Sequence, residues 1–333
     1  MYAQFRRRVG AVVVGVALGV AALPAGAQEV ITYGSLPDPG YDAVVWAIEN
    51  GKVTDPSVTI KVERVSSIPA LMQAAMTAQF NMIPNGVLAI PQMRESGIPV
   101  KIVSTLLRYH PDGHSADFWV MKDSPYKTIQ DLKGKTIAVV SGEAQNVISV
   151  RWVISERFKM NADIVGGDFK FVEMPAAQFE AALQSGKVDA AAFSNVPSYT
   201  LTKGGAYRSV VHGSKELQTM FGGPMPSLFM LAYEPELAKR PQAYVAAGKL
   251  LKASAEYAVK NQDEVFAAVA PKYKMEKADV QAWFNTFAQM PLALGATDKQ
   301  VMMKAWETGA KYGMIKKAPA SADEIVWSGA VMQ

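Results

Sequence analysis

Short apolar runs alternate with amphipathic segments along most of this chain, and that alternation limits the fold more than any other feature. Strand-like runs lie at residues 30–33, 58–65, 100–106, 118–121, 136–140 and 189–193. Helical segments of about ten or more residues separate several of these runs, and such connections join parallel strands through right-handed crossovers. The sequence therefore predicts an α/β fold with two mainly parallel sheets.

The pattern changes near residue 241, where long amphipathic segments replace the alternation. These segments are residues 242–260, 262–270, 277–288 and 298–312. Helical spacing of their apolar residues and a weak strand pattern indicate helices. We therefore predict a helical C-terminal tail that packs on one part of the fold.

The N-terminus has the three parts of an export signal. Residues 1–8 carry three arginines and no acid, and residues 9–23 are apolar throughout. Pro24 ends this run, and Ala25-Gly26-Ala27 has the small residues that a signal peptidase needs. The apolar run is shorter than the roughly 20 residues of a membrane-spanning helix. We predict a signal peptide over residues 1–27, cleaved before Gln28; an uncleaved anchor is the alternative.

Removal of that segment changes the charge of the protein. The full chain has 34 basic and 30 acidic residues, but three of the arginines lie in residues 6–8. The mature balance of 31 against 30 makes the basic isoelectric point no evidence for nucleic-acid binding. The sequence also lacks a stripe of basic residues interleaved with aromatics. We therefore expect no nucleic-acid partner.

Size and cysteine content favour a two-lobed periplasmic protein. The chain has no cysteine, so neither a disulfide framework nor a lipid-bearing cysteine is available. A mature chain of 306 residues is too long for one compact core. We predict a first lobe over residues 28–110, a second over 111–225, and a return to the first lobe with the C-terminal helices over 226–333. The protein is expected to be a periplasmic monomer.

Two motifs match phosphate and serine chemistry only formally. Gly134-Lys135-Thr136 ends like a phosphate loop, but Ile129 stands where that loop needs glycine, and the motif precedes its strand. Ser124 and Lys127 match a serine–lysine pattern without its companion motifs. A cysteine nucleophile is excluded, and a serine triad has no supporting context. We therefore expect a protein that is not an enzyme and has no cofactor.

The chain has three histidines, and two of them flank a turn. His110 and His114 enclose Pro-Asp-Gly, which is a strong turn sequence. That arrangement leaves open a metal site, a solvated turn and a contact at the edge of a cleft, with the solvated turn favoured. His212 stands in a loop with no evident partner. We expect no bound metal.

Ligand binding is predicted at the loops that follow the strands. In open α/β sheets, ligands bind in the crevice beyond the carboxyl ends of the strands. These loops are rich in glycine, hydroxyl and amide side chains, and they precede helices whose first amides can hold an anion. Plain helix capping is the alternative for each residue. The candidate ligand-binding residues are Ser35, Tyr41, Ser67, Asn85, Ser141, Glu143, Gln145, Asn146, Asn195 and Tyr199.

Glu143 raises a question about the ligand's charge. Its carboxylate suits the start of a helix, but it would repel an anion if it pointed into the cleft. We expect it to face away; the alternative is a ligand with a donor group that meets it. Arg108 and Arg151 are reserve partners for an anion, and the rings of Tyr41, Phe193 and Tyr199 could stack on a planar ligand.

Four segments resemble solute-binding proteins of ABC importers, in the nitrate/sulfonate/taurine and thiamine-precursor group. "TIQDLKGKTIAVVSGEAQNVISVRWVI" resembles the segment that opens the second lobe of that family, and "FEAALQSGKVDAAAFSNVPSYTL" resembles a later helix, strand and ligand loop. "ESGIPVKIVSTLL" is similar to the strand before the crossover, and "ELAKRPQAYVAAGKLLKASAEYA" to the first tail helix. The resemblance covers most of residues 30–315.

This resemblance implies a type II-like periplasmic binding fold with two lobes, two crossovers and a ligand trapped between the lobes by hinge closure. It implies delivery of the ligand to an ABC importer permease. Ser141, Glu143 and Gln145 occupy the family's ligand loop at a helix start, Asn195 the matching loop, and Ser35 and Ser67 the first-lobe loops. Sulfonates, carboxylates and polar heterocycles are the expected ligands. A sensory module for a membrane receptor, or an enzyme on the same fold, are the alternatives.

Overall fold

The computed structural model describes residues 28–333, with Ile68 and Asn195 described by their backbone alone. The predicted signal peptide lies outside these residues. The described strands are β1 (Glu29–Ser35), β2 (Val58–Arg64), β3 (Met82–Gly86), β4 (Val100–Tyr109), β5 (Trp119–Met121), β6 (Thr136–Val139), β7 (Lys170–Glu173), β8 (Ala190–Ala191), β9 (Tyr207–Ser209), β10 (Pro226–Tyr233) and β11 (Ala288–Gln289).

Helices occupy most of the connections between these strands. The described α-helices are α1 (Pro39–Glu49), α2 (Ile68–Met76), α3 (Ala89–Glu95), α4 (Gln145–Arg157), α5 (Phe179–Gln184), α6 (Asn195–Gly204), α7 (Gly213–Phe221), α8 (Glu234–Lys239), α9 (Pro241–Lys260), α10 (Gln262–Val269), α11 (Lys277–Thr286) and α12 (Asp298–Lys311). Short 3-10 helices cover Ile129–Leu132, Ala176–Gln178, Ala270–Tyr273 and Ala322–Glu324. None of the helices within residues 28–333 is long and apolar enough to cross a membrane.

The strands form two separate sheets. The first has the order β11-β4-β10-β3-β1-β2, and the second has the order β7-β6-β8-β5-β9. In each sheet four of the described strands share one direction, while β10 and β11 in the first and β5 in the second run against them. The predicted α/β class is confirmed, and the sheets are mixed with a parallel majority.

The antiparallel strands have a topological cause. Strand β5 is the first strand after the chain leaves the first sheet, and β10 is the first after it returns. Neither strand is joined to the previous strand of its own sheet by a helical crossover, so the rule that makes crossover-linked strands parallel does not apply to them. The periodicity of the sequence reports only local structure, so it does not indicate which sheet a strand joins.

The chain passes between the sheets twice, through residues 110–118 and through residues 210–225. These segments touch: a Cβ added at Gly213 would stand 1.8 Å from the carbonyl oxygen of Ala116. A Cβ at Gly113 would stand 2.7 Å from Cα of Phe287. Glycine is therefore required at both positions by close backbone approach. The lobe boundaries predicted near residues 110 and 225 lie in or beside these segments. The division of the chain into two lobes that move as units stays a prediction.

The C-terminal tail is helical, as its periodicity predicted. Helices α8 to α12 follow β10, and α9 packs along α1 beside the first sheet. The two-residue strand β11 interrupts the tail and joins the edge of the first sheet next to β4. The core of the molecule includes the indoles of Trp152, Trp283 and Trp306, which are fully buried.

Candidate ligand-binding cavity

A cavity of about 620 Å³ lies between loops from the two sheets. Its lining includes residues from the first-sheet segments 36–41, 66–72 and 84–92 and from the second-sheet segment 140–148, together with Ser194. Small-molecule sites commonly have volumes of roughly 300–1,000 Å³. The cavity is therefore large enough to enclose a small organic solute, and it lies where the strand ends predict a site.

Seven of the ten candidate residues line this cavity. They are Tyr41, Ser67, Asn85, Ser141, Glu143, Gln145 and Asn146. The loops that hold them are separated by as many as about 100 residues in the sequence, and they meet because each follows a strand or starts a helix on the cleft side of its sheet. Their contact with a ligand stays a prediction.

Two of the other three candidates, Ser35 and Tyr199, do not line the cavity. Ser35 is buried at the end of β1, and its hydroxyl donates to the carbonyl of Leu36 at 3.3 Å. Tyr199 packs its ring edge against Phe287, with 5.4 Å between centroids. The side chain of Asn195 lies outside the described part of the structure, and its neighbour Ser194 is part of the lining. A loop position predicts nearness to the cleft, but the rotation of each strand or helix decides which residue faces it.

The two arginines considered as reserve partners for an anion, Arg108 and Arg151, bind other protein groups. The guanidinium of Arg108 forms a buried ion pair with Asp298, with 2.6 Å between Nη2 and Oδ2. The Nε of Arg151 donates to the carbonyl of Ala162 at 2.7 Å. Neither arginine lines the cavity. Phe193, expected as a stacking ring, instead packs on another aromatic ring in the core of the second sheet.

Asp38 is a cavity residue that the sequence reasoning missed. It precedes α1, and its Oδ1 accepts hydrogen bonds from the backbone N–H groups of Gly40 at 2.8 Å and Tyr41 at 3.3 Å. Asp38-Pro39 after a strand is a local sign of a helix start, because aspartate caps and proline suits the first turn. The carboxylate occupies the amides that might otherwise hold an anion at this helix.

The opposite wall is formed by the loop between β6 and α4. The N–H of Gly142 donates to Glu173 Oε1 at 2.7 Å, and the N–H of Glu143 donates to the hydroxyl of Ser141 at 3.2 Å. Helix α4 has no side-chain cap. Glu143 is exposed and lines the cavity, and its carboxylate forms no hydrogen bond or ion pair with the described residues. Whether its carboxylate faces the ligand, against the expectation that it faces away, stays a prediction.

Polar side chains of α4 and of the first sheet lie close together at the cavity. Gln145 on α4 donates from Nε2 to the hydroxyl of Ser149 at 3.1 Å. The hydroxyls of Ser149 and Ser227 lie near that of Tyr109 at the end of β4, and Ser227 donates to the carbonyl of Leu107 at 3.3 Å. Burial raises the pKa of Tyr109 to about 12, against the opposing effect of these two hydroxyls. The phenol is therefore neutral at physiological pH.

Three aromatic side chains contribute to the walls: Tyr41, Tyr109 and Trp283. Burial, followed by the charge of Asp38, raises the pKa of Tyr41 well above its ordinary value. Trp283 is 1% exposed, and its Nε1 has no hydrogen-bond partner among the described residues. Trp283 comes from α11 in the C-terminal tail, so no strand-end pattern could have assigned it to the site.

The charged groups of the cavity all have one sign. Asp38 and Glu143 are in the lining, and no lysine, arginine or histidine of the described chain is. No group of three or more histidine, aspartate or glutamate side chains within residues 28–333 is arranged to hold a metal ion. The cavity thus offers carboxylate, hydroxyl, amide and aromatic groups to a ligand.

Two lobes with a cavity between their strand-end loops define the periplasmic binding protein fold. The structure is similar to the periplasmic aliphatic sulphonate binding protein SsuA from Escherichia coli, with a TM-score of 0.68 at 14% identity over 92% of this chain and 94% of that one. It is also similar to the alkanesulfonate-binding protein SsuA from Xanthomonas axonopodis pv. citri bound to MOPS, with a TM-score of 0.66 at 19% identity over 92% and 99%. A Candida albicans gene product with the generic periplasmic binding protein fold is similar as well. Its TM-score is 0.67 at 11% identity, over 92% of this chain and 98% of that one.

The family follows from the sequence itself. Residues 58–265 match the family described as NMT1/THI5 like, and this match spans more than half of the chain. The chain therefore belongs to the NMT1/THI5-like family, which confirms the predicted resemblance. A search of curated protein sequences finds no match.

Proposed function

We propose that this protein is the substrate-binding component of an ABC importer. It captures a small polar organic solute in the periplasm and hands it to a membrane permease. The observation that carries the proposal is the cavity itself, to which loops of both sheets contribute. The sulfonate-binding proteins with the same fold support it, as does the family of the chain. Sulfonates, carboxylates and polar heterocycles remain the classes from which the solute is drawn.

Capture by closure requires that the two walls separate to admit the solute. We propose that residues 111–225 move as one lobe against residues 28–110 and 226–333. Exposed ion pairs join these lobes: Lys203 on α6 pairs with Asp279 on α11, and Lys311 on α12 with Glu156 on α4 at 2.5 Å. Exposed ion pairs contribute little to stability, so breaking them is a small barrier to opening.

Binding of the solute supplies the free energy that favours the closed state over the open state. A ligand shifts a conformational equilibrium only as far as its affinity differs between the two states. A solute that touches Tyr41 and Asn85 on one side and Ser141 and Gln145 on the other has this property, because it gains both sets of contacts only when the lobes are closed. Delivery then requires the permease to favour the open form.

Isothermal titration calorimetry of the mature protein, stripped of bound solute, tests this function. The panel consists of alkanesulfonates, aliphatic and aromatic carboxylates, and amino-substituted pyrimidines. At least one member is expected to bind with micromolar or tighter affinity and to reduce the radius of gyration in small-angle scattering. Absence of binding across the panel, together with no small molecule released from the freshly purified protein on denaturation, would contradict the proposal.

A further inference from the structure

Amide side chains on the two walls of the cavity lie close to each other. Asn85 lies near the end of β3, next to Gly86, and Gln145 and Asn146 begin α4 on the opposite wall. A Cβ added at Gly86 would stand 2.6 Å from Oε1 of Gln145 and 3.7 Å from its Cβ. The residues that carry these amides are therefore close enough for one small solute to contact them together.

The amide of Asn146 turns its oxygen away from its only protein partner. Its Nδ2 donates to the backbone carbonyl of Ala192 at 3.3 Å, which identifies the other arm of the group as the acceptor. Asn146 is 8% exposed and lines the cavity, and its Oδ1 accepts no hydrogen bond from the described residues. Buried polar atoms nearly always have a partner, because an unpaired one is unfavourable. Asn146 thus presents an acceptor that a bound solute can satisfy.

Gln145 presents a second acceptor beside the first. Its Nε2 donates to the hydroxyl of Ser149 at 3.1 Å, so its oxygen is the free arm of this amide. That Oε1 lies next to Gly86 and accepts no hydrogen bond from the described residues. The first turn of α4 therefore offers two neighbouring amide oxygens to the cavity.

Asn85 on the other wall has the opposite orientation. Its Oδ1 accepts the backbone N–H of Gly86 at 2.9 Å, so Nδ2 is the arm that remains. One hydrogen of this NH2 group is directed to the sulfur of Met93 at 3.6 Å, and a thioether is only a weak acceptor. Asn85 is also 8% exposed and lines the cavity. It therefore presents a donor opposite the two acceptors of α4.

Resting on the proposed function, we infer that the solute carries a neutral primary carboxamide, which binds between these three side chains. Its two N–H groups donate to Oδ1 of Asn146 and Oε1 of Gln145, and its carbonyl oxygen accepts from Nδ2 of Asn85. The protein presents two acceptors and one donor, and a primary carboxamide is the matching group with two donors and one acceptor. A carboxylate has the same planar shape but only accepts, so it leaves both protein oxygens unpaired.

Two series of probes isolate the carboxamide. Benzamide, benzoate and acetophenone share a ring and a planar carbonyl group, and propionamide, propionate and butanone form the matching aliphatic series. They are titrated into the mature protein stripped of solute, by calorimetry and by ligand-observed NMR, which also measures weak binding. In at least one series we expect the amide to bind about tenfold or more tightly than the carboxylate and the ketone, because only the amide pairs both oxygens of α4.

The variant Asn85→Asp reverses one of the three groups without removing the turn. It keeps an oxygen for the N–H of Gly86 and replaces the donor nitrogen by a second oxygen. Benzamide should then bind about tenfold more weakly, and benzamidine, which has nitrogen donors on both arms, should bind about tenfold more tightly than it does to the wild type. A gain of this kind does not arise from a merely damaged structure.

The variant Gln145→Met removes one acceptor and keeps the length of the side chain. It is expected to weaken the amide about fivefold more than the ketone, since the ketone has no N–H to lose a partner. The matched control is Asn161→Asp, because the oxygen of Asn161 likewise accepts a backbone N–H, that of Asp163 at 2.9 Å, in an exposed turn outside the cavity lining. The control should bind like the wild type, and thermal melts check the folding of all three variants.

The inference is overturned if the carboxylate or the ketone binds as tightly as the amide in both series, or if neither amide binds. It is also overturned if a folded Asn85→Asp variant gains no affinity for benzamidine. Should that variant fail to fold, the wild-type series and Gln145→Met still decide. The proposed function fails separately, only when the wider panel finds no ligand and the purified protein releases none.

Discussion

His114 stacks face to face on His212, with 4.4 Å between ring centroids and 15° between ring planes. The two residues come from the two segments in which the chain crosses between its sheets. His114 Nδ1 lies 2.5 Å from Asp117 Oδ2, and the other oxygen of Asp117 accepts the N–H of Gly213 at 2.8 Å. His212 Nε2 lies 3.0 Å from the carbonyl oxygen of Gly113. The turn that the sequence favoured as solvated is part of a packed joint between the sheets.

Removal of the His114 ring should destabilise this joint. In His114→Ala, the fully buried carboxylate of Asp117 loses one of its partners, and a void opens beside Trp119 and Phe287. Loss of one partner of a buried polar group costs about 1–3 kcal/mol, so urea unfolding should show a fall of that size in the free energy of unfolding. His110→Ala is the control, because the contacts of the His110 ring with the N–H and carboxylate of Asp112 stay within one turn. Equal effects of the two variants would contradict this role for His114.

Gly86 and Gln145 set how closely the two walls can approach. A Cβ on residue 86 would stand 2.6 Å from Oε1 of Gln145. In Gly86→Ala the amide side chain must move and lose its bond to Ser149. We expect solute affinity to fall on the order of tenfold, equivalent to about 1.4 kcal/mol, while the melting temperature changes little. Calorimetry measures the affinity.

A second substitution distinguishes steric interference from other causes. Shortening the opposing side chain in the double variant Gly86→Ala with Gln145→Ala removes the clash. Its affinity should equal that of Gln145→Ala alone, since the added methyl group then meets only the Cβ of residue 145, at an ordinary contact distance of 3.7 Å. An affinity lowered further by Gly86→Ala in this background would show that the glycine acts through its backbone instead.

The Lys311–Glu156 pair predicts an acid limit to closure. The hydrogen bond from Lys311 lowers the pKa of Glu156, and the same bond raises the pKa of Lys311. A carboxyl group whose pKa is lowered in the paired state stabilises that state fully when the pH is above its ordinary pKa of about 4.5. This stabilisation is lost as the pH falls through the lowered pKa. Solute affinity should therefore decline as the pH falls below roughly 4.5.

The variant Glu156→Gln should have a slightly weaker affinity at neutral pH and a flatter acid profile than the wild type. Asp263→Asn is its control, because the Asp263–Lys277 pair is also exposed but lies wholly within the C-terminal tail. The measurement is affinity by calorimetry from pH 7 to pH 3.5. Identical profiles for the wild type and Glu156→Gln would exclude this pair as the cause of any acid sensitivity.

Asp298 should be essential for stability. Its carboxylate is 1% exposed and binds the guanidinium of Arg108, the hydroxyl of Thr105 at 2.6 Å and the N–H of Gly295 at 2.9 Å. Asp298→Ala leaves Arg108 buried without its counter-ion, for which about 3–5 kcal/mol is typical. Thr105→Val removes one hydrogen bond from the same group and should cost about 1 kcal/mol. Denaturant unfolding that gives the same loss for both would contradict a buried ion pair at this position.

Export predicts a defined mature end. Cleavage after Ala27 would leave Gln28 as the first residue, one residue before β1 begins. Mass spectrometry of the intact protein recovered from a periplasmic extract should give the mass of residues 28–333. A mass that includes residues 1–27, found in a membrane fraction, would indicate the uncleaved anchor that the sequence left as the alternative.

The sequence by itself determined the class of fold and the places where strands and helices begin. Apolar periodicity is a local property, so it located the tail helices and most strands without knowledge of any contact. Helix-start chemistry is also local, and for this reason the loops after the strands could be chosen as candidates. Seven of the ten proposed residues line the cavity because those loops all lie at strand ends.

The tertiary structure decided which groups meet in the cleft and what charge they carry. Trp283 reaches the cavity from the tail, and Arg108 is withheld from it by Asp298, which lies 190 residues further along the chain. Ser35 and Tyr199 lie in the predicted loops but are turned toward other partners. Such pairings depend on how distant elements pack, and local periodicity carries no information about them. The set of described side chains that line the cavity is therefore a property of the packing.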